Sequence, residues 1–152
     1  MFILSLSACG QDAENETPQA AKASLRLAGV LPNGQSVVGV QMTLSFPPGV
    51  TAKIDPATGD VSDSVIRIVG PGELKFTGVT YQPSTETMGG ALVFFAVNLD
   101  GFSLGDFLSV TLDITPGTIP KAEEFGLSEV SVSDIDGFVI DNLQPVMTVK
   151  IL

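Results

Sequence analysis

One thiol, no imidazole and 17 carboxylates are what this 152-residue chain offers to chemistry. Without histidine there is no Ser-His or Cys-His nucleophile and no imidazole metal ligand, and a lone cysteine, Cys9, excludes an internal disulfide and a thiolate zinc cluster. Carboxylate chemistry remains, and glycoside hydrolysis would require two acids in concert. The candidate pairs are Asp134 with Asp136 and Glu123 with Glu124. In an Asp-x-Asp-Gly turn, however, short acidic side chains bond nearby backbone N–H groups, so the turn reading of Asp134 and Asp136 is preferred and the chain is expected not to be an enzyme. The same stretch has the opening rhythm of a calcium loop, but Pro145 stands where an EF-hand places its bidentate Glu. No cofactor is expected; a structural calcium assembled from several loops, drawing on Asp55, Asp60, Asp63 or Asp100, stays open.

Cys9 has a sharper chemical context. The run Leu6-Ser7-Ala8-Cys9-Gly10 follows an apolar start and resembles the lipobox of a bacterial lipoprotein signal peptide. A small Ala8 lets a peptidase approach the backbone, and the Cys9 thiol would carry a diacylglycerol thioether. The run lacks a basic n-region and offers about 6 apolar or small residues where 7–15 are usual, which sets the expected translation start upstream of Met1. Residues 1–9 are therefore expected to be a signal remnant. Residues 10–22, acidic through Asp12, Glu14 and Glu16 and with nothing to bury, are expected to be a disordered linker. If flexible, a dozen such residues hold a domain roughly 20 Å from its anchor. The implied address is the cell envelope, and Gly10-Gln11, without the immediate Asp that resembles an inner-membrane retention signal, favours the outer membrane or the extracellular surface.

Composition narrows the partner. Seven basic against 17 acidic residues give a formal net charge of −10, and no Lys/Arg cluster runs along the chain, which argues against nucleic acid. No apolar segment is long enough to span a bilayer as a helix, so contact with a membrane is expected through the lipid alone. With 44% hydrophobic residues and 16% charged, residues 23–152 can build one sizeable core.

Those residues alternate with period 2 and carry turn signals at intervals typical of an all-β sandwich. Ser36–Phe46 is the clearest strand, with Val38, Val40, Met42, Leu44 and Phe46 on one face. Ser24–Ala28 precedes it through a Pro32-Asn33-Gly34 turn. Strands are further expected at Val50–Ile54, Val65–Val69, Leu74–Tyr81, Ala91–Val97, Phe107–Ile114, Leu127–Val132 and Val146–Ile151, with at most a helical turn within Pro120–Phe125. Ala91–Val97 is apolar on both faces, as suits a central strand covered by a loop or a partner. Eight or nine strands with no helical crossover predict an all-β fold, antiparallel sheets packed face to face.

Four passages carry a family likeness: Gly39–Val50, in which alternating apolar residues run into Phe46 and a Pro47-Pro48-Gly49 turn; Gly90–Phe95; Gly105–Ile114; and Phe125–Ile140 with its Asp134-Ile135-Asp136-Gly137 turn. Their order and spacing over residues 36–151 resemble the cohesin-like domains. The resemblance implies a nine-stranded jelly-roll sandwich and non-enzymatic binding through a sheet face, to an envelope or extracellular protein of dockerin-like kind. The departure is at the front, where Ala23–Val38 is short for both opening strands of that family. The rival reading is a carbohydrate-binding module taking polysaccharide, whose platforms are exposed aromatic rings. The chain has no Trp and one tyrosine, Tyr81, while Phe102 and Phe138 lie in Asp-Gly-Phe turns; these three are the candidate partner-binding residues. Two of them, Phe102 and Phe138, flank turns, where aromatics more often plug the end of the core than anchor a partner.

The anchor is directly testable. Intact-mass analysis of the native protein is expected to show an N-terminal, diacylated Cys9, and Cys9→Ser should move the protein to the soluble fraction; an intact Met1 on a soluble species would sink the assignment.

Overall fold

The computed structural model describes residues 18–70 and 75–152. Cys9, the signal remnant and most of the linker lie outside the described residues. Nine strands follow in order: β1 Ala20–Gly29, β2 Val37–Phe46, β3 Val50–Thr51, β4 Ile66–Ile68, β5 Lys75–Gln82, β6 Gly90–Phe102, β7 Gly105–Ile114, β8 Gly126–Ser133 and β9 Leu143–Ile151. The one helical piece among the described residues is a 3₁₀ turn, Ala122–Glu124, inside the segment the sequence marks for it.

All pairings are antiparallel and they build two sheets. One runs β3-β7-β1-β9 with β4 also on β7; the other runs β5-β6-β2-β8. The protein is therefore an all-β sandwich. Each strand puts alternate side chains into the gap. β1 contributes Ala21, Ala23, Leu25 and Leu27, and β7 contributes Leu108, Val110, Leu112 and Ile114. Across from them stand Val40, Met42, Leu44 and Phe46 of β2 and Leu92, Phe94 and Ala96 of β6, all in one core cluster.

The boundaries differ from the alternation pattern for local reasons. β1 starts at Ala20 because Ala20, Ala21 and Lys22 already pair with Asp113, Leu112 and Thr111 of β7, so the sheet begins inside the stretch that looks like linker. β1 also pairs along its length with β9, from Ala21↔Ile151 to Gly29↔Leu143. A single opening strand thus sits between β7 and β9. β9 extends back to Leu143 through Pro145, which an edge strand tolerates because one row of its N–H groups has no partner to lose. Val50–Ile54 shortens to a two-residue strand, after which the chain leaves the sheet and Ile54 bridges to Val61 across a turn.

The tight seat between the sheets sets a clear cost. Leu44 is fully buried, so Leu44→Ala is expected to lose about 2–5 kcal/mol. Urea unfolding should show a lower midpoint with an unchanged slope; a loss below about 1 kcal/mol would contradict the packing described here.

Candidate functional site

Three of the carboxylates singled out by the sequence, Asp134, Glu124 and Asp55, serve the backbone. Asp134 Oδ1 accepts from the N–H groups of Asp136 (3.0 Å) and Phe138 (2.9 Å), and the Gly137 N–H donates to the Asp134 carbonyl at 3.2 Å. Gly137 takes a positive φ of 83°, the conformation that its missing Cβ allows. Glu124 Oε2 accepts from the Lys121 N–H at 2.6 Å, tying the start of the 3₁₀ turn. Asp55 Oδ1 accepts from the Ala57 N–H at 2.8 Å. Among the described residues no group of three His, Cys, Asp or Glu is placed to hold a metal ion. A concavity of about 610 Å³ between the Pro48-Gly49, Ser84–Glu86 and Thr115–Thr118 loops has Glu86 as the one ionisable group in its lining.

The three aromatic candidates fall in different places. Tyr81 points inward: its ring stacks on Phe46 with centroids 6.3 Å apart, and its hydroxyl accepts from the Ala52 N–H at 3.2 Å. Phe102 is only 6% exposed and meets Phe107 edge to face at 5.4 Å, closing the end of the core. Phe138 is 70% exposed at the tip of the β8–β9 loop, beside the exposed Ile135 and Val139. The structure does not bring the three together.

A different aromatic occupies a sheet face. The β6 register sets Leu92, Phe94 and Ala96 inward, so Ala91, Val93, Phe95 and Val97 line the outer surface of β5-β6-β2-β8. Phe95 is 45% exposed there. Its register partners are Gly78 on β5 and Gln41 on β2, and its ring lies so close over Gly78 that a Cβ at that position would collide with it. A shallow concavity of about 350 Å³ opens beside the ring, lined by Gln41, Gly78, Thr80 and Val93. Around it the outer positions are Gly39, Thr43 and Ser45 on β2 and Ser128, Ser131 and Ser133 on β8. The face is small, flat and almost without charge.

Its single acid, Glu129, belongs to a bulge. Thr43 pairs with Ser128 and Gln41 with Ser131, so Glu129 and Val130 together oppose Met42. Glu129 adopts φ 51°, rare for a residue with a side chain, and its Oε2 accepts from Thr43 Oγ1 at 2.7 Å. The bulge ends the flat part of the face at β8.

Phe95 was hidden in the sequence by its neighbour. In Phe94-Phe95 either ring could face inward, and only the pairing of Met42 with Phe94 decides it. Comparison with protein-family models, with curated proteins and with solved structures finds no match to this chain.

The role of Asp134 yields a prediction. Asp134→Ala removes the acceptor for two backbone N–H groups and is expected to cost about 1 kcal/mol, while calcium or a chelator should leave the melting temperature of the wild type unchanged. A calcium-dependent rise in melting temperature that Asp134→Ala abolishes would assign the loop to a metal instead.

Proposed function

We propose that the chain is a non-enzymatic binding module, held at the cell envelope through Cys9, that docks a protein partner on the outer face of β5-β6-β2-β8. The observation that carries this reading is Phe95 at the centre of a face with no ionisable side chain except Glu129 at its rim, in a chain of net charge −10. Protein interfaces have charge-depleted centres, enriched in aromatic residues and bounded by a polar rim. Here Phe95 and Val93 supply the anchor, the Gly78 and Thr80 concavity receives a partner side chain, and the serines of β8 form the rim.

The nine-stranded order supports the cohesin-like, jelly-roll expectation and with it an envelope or extracellular partner of dockerin-like kind. Geometry at the chain start is consistent with a tether: the Gln19 and Ala20 N–H groups both donate to the Leu152 carbonyl, so the chain enters the sandwich at the end where β9 leaves it. The polysaccharide alternative would call for a row of rings; among the described side chains Phe95 is the one exposed ring on this face.

The test is a pair of face variants, Phe95→Ala and Thr43→Arg, in affinity capture from the envelope fraction. A protein retained by the wild type should lose at least about 2 kcal/mol of binding, roughly thirtyfold, on either variant, with the β-sheet circular dichroism intact. Equal retention by wild type and both variants would move the docking site off this face.

A further inference from the structure

The opposite face of the sandwich carries a charge pattern of the other sign. Along β1, Lys22, Ser24 and Arg26 point outward while Ala21, Ala23, Leu25 and Leu27 are buried. Lys22 has Lys150 of β9 as its register partner. Arg67 of β4 is paired with Ser109 of β7, which is also the partner of Ser24. Thus Lys22, Arg26, Arg67 and Lys150 share the outer face of the five-stranded sheet, four of the seven basic residues of the whole chain. Among the described acidic residues two join them on the paired strands, Asp106 opposite Arg26 and Asp113 at the β3 side.

Two lysines directly opposite each other on a sheet repel, and such a pair is destabilising. A chain so rich in acid could have relieved the repulsion with one carboxylate. Instead the surroundings are hydroxyls: Ser24, Thr111 and Thr148 fill the positions between the charges, with Ser109 largely buried among them. From this we infer that the outer face of the five-stranded sheet is a second binding site, for a linear polysaccharide carrying carboxylate or sulfate groups.

The composition of the face selects among polyanions. A protein partner calls for an apolar, charge-depleted centre, whereas here Lys22 and Arg26 sit on the central strand. An anionic membrane needs apolar side chains that insert, and among the described residues no aromatic projects from the strands of this face, whose exposed large apolar side chains before the chain end are confined to Val146 of β9 and Val69 just past β4. An acidic glycan matches both parts of the surface, its anionic groups meeting the four cations and its hydroxyls meeting the Ser and Thr side chains. The long-range field of a −10 protein opposes any polyanion, but at physiological ionic strength charges beyond roughly 8 Å are screened. Sheets stacked about 10 Å apart therefore let each face act on its own neighbours. The site is independent of the Phe95 face and stands or falls separately.

Fluorescence anisotropy of labelled polygalacturonate and of labelled heparin fragments, titrated with the tethered domain at about 0.15 M salt, tests it. Binding of one or both is expected, none of neutral dextran, with loss of binding at high salt. Lys22→Gln with Lys150→Gln should weaken binding about tenfold, and because it removes a repulsive pair it should leave the melting temperature equal or higher. The control Lys53→Gln with Lys121→Gln should bind as the wild type does. Failure of the wild type to bind either polymer, equal losses in both double variants, or stronger binding to phosphatidylglycerol vesicles than to either glycan would each overturn the assignment.

Discussion

Removal of one side of every strand from water is the constraint from which the remaining structure follows. Leu25, Leu27, Val110 and Leu112 from one sheet meet Met42, Leu44, Leu92 and Phe94 from the other, and each is almost wholly buried. With side chains alternating strictly, a strand that commits one row to this gap must expose the other. A sandwich filled in this way leaves its two outer surfaces, its edges and its loops for interaction. The polar groups follow suit: among the described residues no buried side-chain nitrogen or oxygen lacks a partner, and the one deeply buried amide, Asn98, is used locally, donating to the Gly101 carbonyl and accepting from the Asp100 N–H.

β6 is the exception that gives the molecule its direction. Its inward row obeys the constraint, yet its outward row, Val93, Phe95 and Val97, is as apolar as an inward one. Neighbouring strands flank it on both sides, and Phe95 remains 45% exposed. Apolar area of this kind costs free energy in water, on the order of 25 cal/mol per Å². The proposed partner would recover that cost by covering it. On the other outer face the opposed lysines repel, and the proposed anionic ligand would relieve them.

Much of the fold is legible in the sequence because the alternation is clean where both sheets are well paired. The inward residues of β7 and, from Val40 to Phe46, of β2 are the ones the period marks, whereas at the irregular register before Gly39 it is Val37 rather than Val38 that joins the core cluster; turn signals at Pro47-Pro48-Gly49 and Pro116-Gly117 separate strands as expected. Alternation fails where the residues are small or the pairing is irregular. Ala20 and Ala21 look like linker because alanine carries little hydrophobic signal, although Ala21 is buried. The bulge at Glu129 and Val130 breaks the period of β8 by one residue, and nothing in Ser128-Glu129-Val130-Ser131 announces it. Site residues suffer more, because a face is a property of register. Lys22 and Lys150 lie near opposite ends of the chain, and only the β1–β9 pairing sets them side by side. Phe138 was visible as a turn aromatic, whereas Phe102, in the same kind of turn, is drawn into the core by Phe107.

The edges explain why recognition falls to the faces. A free strand edge invites another strand, and proteins blunt it with short strands, bulges, proline or charge. Here one edge of the larger sheet is divided between β3 and β4, of two and three residues, and the other is β9, which carries Pro145 and Lys150. At the β8 edge of the smaller sheet the bulge turns Glu129 and Val130 out of register, and Thr43 holds the Glu129 carboxylate in place. These devices oppose strand addition at three of the four edges, leaving β5 as the regular one. β5 lies beside Phe95 through Gly78, so a partner seated on the face also reaches its backbone. Side-chain recognition on the apolar face and strand pairing along β5 would therefore be contiguous, whereas the basic face is bounded by the blunted β3/β4 and β9 edges.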